Sequence, residues 1–236
     1  MPSKSIIYLV PSVLSETAFE TIPIYIIEAV KSCKVIFAEN ERTTRRFLKS
    51  IYKEIIIDDY EWFTIHKAEP EQVAIFKQKI NEQKNIAIIS EAGCPGIADP
   101  GQLLVKTAQE MSVTIKPLVG PNSILLALMA SGLNGQNFYF SGYLPIESHD
   151  RLNKIKELEE ESARKSCTQI FIETPYRNNQ IIEAVLKVCK SHTQLCIAAE
   201  LTSTNEFIKT KSIDEWRKVK IDMHKKPAIF LLMAEK

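Results

Sequence analysis

The sequence predicts an α/β protein in two parts: a mostly parallel sheet with flanking helices over residues 1–117, then a mixed sheet with helices over residues 118–236. Three observations carry this. Short β-branched apolar runs alternate with stretches of helical periodicity through the first half, the pattern of a parallel sheet covered on both faces. Near the C-terminus such runs follow one another in a more hairpin-like way. All seven glycines (Gly93, Gly96, Gly101, Gly120, Gly132, Gly135, Gly142) fall between positions 93 and 142, so the chain reserves its sharpest bends for the middle.

Taken in order, residues 5–10 read as a first strand ending at Pro11, and residues 23–32 as a helix. A second strand over 34–38 ends at Glu39-Asn40, and an amphipathic helix follows with Arg42, Arg45, Arg46 and Lys49 around Phe47 and Leu48. Residues 53–57 predict a third strand, and residues 69–83 a helix with Val73, Phe76 and Ile80 on one face. Ile86 to Ile89 reads as a strand buried on both faces. Then Gly93, Pro95 and Gly96 forbid a regular element, and Asp99-Pro100 predicts a helix start, Asp99 as N-cap and Pro100 at the first helical position. Residues 102–111 predict that helix and residues 114–117 a strand. Organisation breaks at Gly120-Pro121. An apolar helix over 123–130 closes at Ser131-Gly132; strands over 138–143 and 168–173 bracket a charged helix over 150–165. A helix over 178–189 and strands over 195–201, 207–211 and 228–234 complete the chain.

Composition narrows the function classes. With 30 basic and 29 acidic side chains the formal net charge is +1, so no global field draws the protein to nucleic acid or membrane, and any RNA contact must come from a local patch. Five scattered cysteines without a CxxC pair, and four histidines without ligand spacing, argue for reduced thiols in a cytoplasm rather than disulfides or a metal. Nothing approaches the ~18 consecutive apolar residues of a membrane span. The N-terminal apolar run is too short for a signal sequence and stops at Pro11. There is no G-x-x-x-x-G-K-[ST], no G-x-G-x-x-G and no Ser-His-Asp or Cys-His arrangement.

The central stretch sits where ligands bind in open α/β sheets, beyond a strand's carboxyl end. Ser90-Glu91-Ala92-Gly93-Cys94-Pro95, then Asp99-Pro100-Gly101, Gly120-Pro121-Asn122-Ser123 and Ser131-Gly132-Leu133 resemble, in order and spacing, the tetrapyrrole-methylase superfamily (class III) of S-adenosylmethionine-dependent methyltransferases. Within it the likeness is nearest to the subfamily that 2′-O-methylates a ribose of small-subunit ribosomal RNA. The resemblance covers nearly the whole chain. It implies a two-domain tetrapyrrole-methylase-like fold, S-adenosyl-L-methionine as cofactor in the cleft between the domains, and a homodimer with ribosomal RNA or the small ribosomal subunit as partner. Methyl transfer from a sulfonium is an in-line displacement, so such a site needs shape more than a nucleophile.

By the same resemblance Pro11, Ala92, Gly93, Cys94, Pro95 and Ile97 hold the donor, with Asn122 and Ser123 at its adenosine end; Ser123 reads equally as a helix cap. Phe171, Glu173 and Leu201 join them from the second half. Glu173 either orients a ligand or pairs with Arg177. Glu39, Glu91 and Glu200 are candidate proton acceptors, or else surface or salt-bridge residues, and Arg42, Arg45, Arg151 and Arg177 candidate substrate contacts. Arg42, Arg45, Arg46, Lys49 and Lys53 form a candidate phosphate-contacting patch, or else a solvated helix face. Several positions depart from the subfamily. The loop after Pro11 lacks its Gly-Asn, and its His-Asp-His-Asn run appears only as His66-Lys67-Ala68-Glu69. Ile146-Glu147 stands where a basic residue is expected, Ala199 replaces an arginine, its Lys-Gly-Glu becomes Lys226-Pro227-Ala228, and its C-terminal extension does not follow Lys236. Three readings stay open: methylation of an RNA ribose, methylation of a small tetrapyrrole-like molecule, or a non-catalytic donor-binding paralogue.

Overall fold

A computed structural model describes residues 5–65 and 69–235; the departure at His66-Lys67-Ala68 lies outside them. The chain separates into two compact units, Met1–Asn122 and Ser123–Lys236. The segment after β5 goes with the first, since the Leu118 N–H donates to the Leu9 carbonyl at 3.0 Å.

The first unit holds β1 (Ile6–Val10), α1 (Tyr25–Lys31), β2 (Val35–Ala38), α2 (Glu41–Ile51), β3 (Glu61–Thr64), α3 (Glu69–Asn81), β4 (Ile86–Ile89), α4 (Gln102–Glu110) and β5 (Thr114–Pro117). Its five strands lie in the order β3-β2-β4-β1-β5, every pairing parallel. β2 and β4 are buried at every residue, which is why they read as unbroken apolar runs. Alternation then divides the core. Tyr8, Val10, Ile36, Ala38, Ala87 and Ile89 pack with Ile26, Val30, Phe47 and Leu48 of α1 and α2, while Ile7, Val35, Phe37, Ile86 and Ile88 pack with Phe76, Ile80, Leu104 and Ala108 of α3 and α4. The edge strand β5 is mostly exposed and ends in Pro117, which blunts it against further pairing.

Two expectations are corrected here. Residues 53–57 are not a strand: Ile55 is buried beneath α2, and Ile57–Asp59 is a short 3₁₀ turn. The strand is β3, Glu61–Thr64, chosen by tertiary packing, because Phe63 stacks on Phe37 at 5.0 Å between ring centres. Nor is Asp99 an N-cap. α4 begins at Gln102 with Gly101 as its N-cap, and the acceptor comes from α3. Glu69 is buried, and its Oε1 accepts the N–H groups of Gly101 at 3.0 Å, Leu103 at 2.8 Å and Leu104 at 3.4 Å. One carboxylate therefore satisfies the free donors of the helix start and meets its positive end. Glu69→Ala is expected to cost about 1–2 kcal/mol of stability, the scale of a lost N-cap, read by chemical denaturation.

The second unit runs α5 (Ser123–Ser131), β6 (Phe138–Tyr143), α6 (Ser148–Lys165), β7 (Thr168–Ile172), α7 (Asn178–Val188), β8 (Gln194–Ala199), β9 (Phe207–Ser212), α8 (Ile213–Arg217) and β10 (Ala228–Met233). Its sheet has the order β6-β7-β10-β8-β9; β6 and β7 pair in parallel and the other three pairings are antiparallel. This is the expected mixed sheet. One face carries Phe171, Leu195, Ile197, Phe230 and Leu232, packed with Ile155, Leu158, Ile181, Val185 and Trp216 of α6, α7 and α8. The short helix α8 was not expected. A capping box starts it: Ser212 Oγ accepts from the Glu215 N–H at 3.2 Å, and Glu215 Oε2 accepts from the Ser212 N–H at 2.8 Å.

Candidate functional site

Because all strands of the first sheet are parallel, the residues that follow β1, β2, β4 and β5 emerge along one edge. Pro11 and Ser12, then Glu39, Ser90 to Ala98, and Leu118 to Asn122 supply them. The loop after β4 is tied to the loop after β1 by a two-way main-chain pair: the Ser12 N–H donates to the Gly93 carbonyl at 2.8 Å and the Gly93 N–H to the Ser12 carbonyl at 3.1 Å. Ser12 Oγ donates to the Ser90 carbonyl at 2.8 Å, and Ser90 Oγ to the Gly93 carbonyl at 3.1 Å.

Gly93 has φ +70°, in the left-handed region. A Cβ there would meet Leu14 Cδ2 at 3.4 Å and the Pro121 carbonyl at 3.6 Å, so glycine serves the backbone conformation and its missing side chain faces protein. Next to it Ala92 is exposed, and neither its N–H nor its carbonyl has a partner among the described residues; the Cys94 N–H is likewise unpaired. Cys94 Sγ lies 3.5 Å from the Pro121 carbonyl, and burial pushes its thiol up. Pro11 and Pro95 are buried, Ile97 is half exposed and Asn122 partly buried.

Carboxylates gather beside this turn. Glu39 Oε2 accepts the Glu91 N–H at 2.8 Å, and Asn40 Nδ2 donates to Glu91 Oε1 at 3.3 Å. Asn40 also caps α2, its Oδ1 accepting from the N–H groups of Arg42 and Thr43 at 3.1 and 3.3 Å, so α2 is registered to the loop. Asp99 is the third carboxylate, the one that sequence reasoning spent as a helix cap. Burial, with the like charges of Glu39 and Glu91 facing it, pushes its carboxyl up to about 7. No hydrogen bond engages either of its oxygens among the described residues.

The basic residues of α2 divide into two kinds. Arg45 pairs with Glu41 at 2.6 Å and lies over the Trp62 ring at 4.9 Å, and Lys49 Nζ donates to the Ile55 carbonyl at 2.5 Å. Arg42 and Arg46 are exposed, and no carboxylate pairs with either among the described residues.

In the second unit, antiparallel pairing of β10 with β7 and β8 brings the ends of β7 and β8 to the same edge as the start of β10. Glu173 and Arg177 follow β7 at that edge, and Glu200 and Leu201 follow β8. Glu173 has no exposed side-chain surface; its Oε1 accepts from the Thr174 N–H at 2.6 Å and from Arg177 at 2.5 Å, while its Oε2 has no partner among the described residues. Glu200 Oε2 pairs with Lys226 Nζ at 3.2 Å, and both Glu200 and Thr202 hold positive φ, at 51° and 67°. A β-branched residue in that region is a strained position of the kind that gathers at functional edges. The other second-unit candidates belong to the strands and helices themselves. Phe171 is wholly buried and stacked on Phe230 at 5.7 Å, a core side chain. Ser123 opens α5, and Arg151 is buried on α6 with its guanidinium donating to the Ile146 carbonyl at 2.7 Å.

No described helix is long and apolar enough to cross a membrane, and no group of three or more His, Cys, Asp or Glu among the described residues is arranged to hold a metal ion. Among solved structures, that of a diphthine synthase superposes with a TM-score of 0.69 at 14% identity, over 97% of this chain and 89% of that one. The uroporphyrin-III C-methyl transferase of Thermus thermophilus, complexed with S-adenyl homocysteine, does so with a TM-score of 0.56 at 14% identity, over 97% of each chain. These likenesses concern the fold. In sequence, a protein of Escherichia coli O157:H7 named ribosomal RNA small subunit methyltransferase I is 31% identical over 237 residues, spanning 99% of this chain and 78% of that one. Its namesake in Vibrio cholerae is 31% identical over 211 residues, 89% of this chain and 69% of that one. The model of the family described as Tetrapyrrole (Corrin/Porphyrin) Methylases matches residues 20–216, most of the chain. With the expected pair of sheets in place, the protein belongs to the tetrapyrrole (corrin/porphyrin) methylase family.

Proposed function

We propose that the protein is an S-adenosylmethionine-dependent methyltransferase acting on a ribose 2′-hydroxyl of small-subunit ribosomal RNA. The observation that carries this is the Gly93 turn: a left-handed bend with unpaired main-chain groups at Ala92 and Cys94, at the carboxyl edge of a parallel sheet, beside three carboxylates. The residues fit the donor on two counts. Unpaired amide groups suit the polar periphery of a nucleoside, and Glu39, Glu91 and Asp99 complement the positive charge of a sulfonium. The RNA acceptor is supported by the names of the relatives at 31% identity.

S-adenosylmethionine, when bound, supplies an electrophilic methyl group. Ala92 and Cys94 present main chain to it, Gly93 holds the turn through its pairing with Ser12, Pro11, Pro95 and Ile97 shape the wall, and Asn122 takes the adenosine end. Asp99 accepts the proton of the acceptor hydroxyl, because burial and its acidic neighbours raise its basicity and no hydrogen bond engages its oxygens among the described residues. Glu39 accepts the Glu91 N–H and Asn40 donates to the Glu91 carboxylate, bonds that keep the loop in place. Four of the five thiols are buried and all are free, which suits the reducing cytoplasm. Assembly as a homodimer belongs to the same reading and is supported by the family resemblance.

Calorimetry with S-adenosylmethionine and S-adenosylhomocysteine, followed by methyl incorporation into small ribosomal subunits stripped of modification, tests this reading. Binding with label in the RNA is the expected result. Binding without RNA labelling moves the acceptor to small molecules, and no binding at millimolar donor overturns the enzyme.

A further inference from the structure

Arg42 and Arg46 are placed where they do the fold no good. α2 begins at Glu41 with Asn40 as N-cap, so Arg42 lies in the first turn, at the positive end of the helix, where an acidic side chain is the stabilising choice. Arg46 follows one turn on, and cations four residues apart on one face repel each other. Glu41, the helix's acidic residue, is taken by Arg45. The other cations of α2 are absorbed in packing or in capping a carbonyl, whereas these two are exposed and have no acidic partner among the described residues. A local rule broken twice on one face marks a surface kept for a partner rather than for stability. That face is also fixed in space, since Asn40 and Glu39 tie the start of α2 to Glu91. The two side chains are ~6 Å apart along the helix axis, a spacing that leads away from the Gly93 turn.

We propose that Arg42 and Arg46 contact successive phosphates of the acceptor RNA, holding its backbone alongside the turn where the methyl group is delivered. This rests on the RNA reading of the site. Guanidinium forks match phosphate oxygens in pairs, and on a chain of near-zero net charge two uncompensated arginines are a local attractor for a polyanion.

The test is the salt dependence of binding to stripped small ribosomal subunits by the full chain and by R42E/R46E. Each lost phosphate contact lowers the slope of log affinity against log salt by about 0.7 to 0.9, so the double variant should lose about 1.4 to 1.8 in slope. It should keep the wild-type affinity for S-adenosylmethionine and a melting temperature equal to or above the wild type, because the first-turn charge becomes favourable. The charge-conserving R42K/R46K should keep the slope and stay folded whatever the first variant does. Unchanged slope and affinity in R42E/R46E overturn the proposal while leaving the RNA reading intact. Failure of the wild type to bind subunits, with donor binding retained, overturns both, and the wild-type measurement tells the two cases apart.

Discussion

Asp99→Asn should lower methyl transfer by about 10² to 10⁴-fold, the range of a removed general base, with the loss in kcat rather than in the KM for RNA. The wild-type profile should rise with pH through about 7 and then level, because only the ionised carboxylate accepts a proton. In the variant that limb disappears. A purely structural role predicts neither, and a second readout separates them further. Burial and the facing carboxylates hold the Asp99 carboxyl well above the ordinary aspartate value of 3.8, so the folded chain retains a proton that the unfolded chain releases. Stability from this group is therefore greatest below about pH 4, falls between about 4 and 7, and stays reduced above. Asn carries no such penalty. Asp99→Asn should melt above the wild type at pH 8 and level with it at pH 4. A sulfonium cation beside the cluster favours ionisation, so donor binding at pH 7 should release part of a proton from the wild type and none from the variant, seen as a buffer-dependent calorimetric enthalpy. Retained activity with an unchanged pH profile would remove Asp99 from the reaction.

That residue also shows where the sequence stops speaking. Asp99-Pro100-Gly101 has the local signature of a helix start, and nothing within several residues contradicts it. The contradiction comes from Glu69, which reaches from the preceding helix and takes the helix N–H groups first, leaving Asp99 to face Glu39 and Glu91. Local pattern reads capping well and cannot see a cap supplied from 32 residues away. The same limit misplaced β3. Ile55-Ile56-Ile57 looks like a strand, yet pairing with β2 went to Glu61–Thr64, where Phe63 finds Phe37. By contrast β2 and β4 were legible because residues buried on both faces must be apolar throughout. α8 is legible too, through Ser212 and Glu215 at capping-box spacing. At the second sheet's edge, Glu173 and Arg177 at i, i+4 announced their ion pair, but not the unpartnered second oxygen.

Gly120→Ala should be among the most damaging small substitutions in the chain. Built on the native backbone, its Cβ would stand 2.2 Å from Pro11 Cγ and 2.3 Å from Pro11 Cβ, well inside any tolerable contact. The obstacle is a closed ring on a fixed backbone, not the end of a flexible side chain, so relief requires main-chain movement. Pro11 is joined to Ser12, whose main chain pairs both ways with Gly93; on the other side Leu118 and Val119 are held by the Leu9 carbonyl and the Tyr25 hydroxyl. The strain therefore travels into the turn proposed to hold the donor. Overpacking of this kind costs about 1–3 kcal/mol, and the anchored loops place Gly120→Ala toward the upper end. S-adenosylmethionine affinity should fall with it by tenfold or more, about 1.4 kcal/mol. Gly135→Ala, whose Cβ would meet nothing within 4 Å, is the matched control and should stay within about 0.5 kcal/mol of the wild type. Pro11→Gly removes the ring, so the double variant should be more stable than the sum of its single effects, a coupling between contacting residues that a denaturation cycle measures directly. Additive losses would mean that Gly120 is needed for something other than the close approach of these two loops.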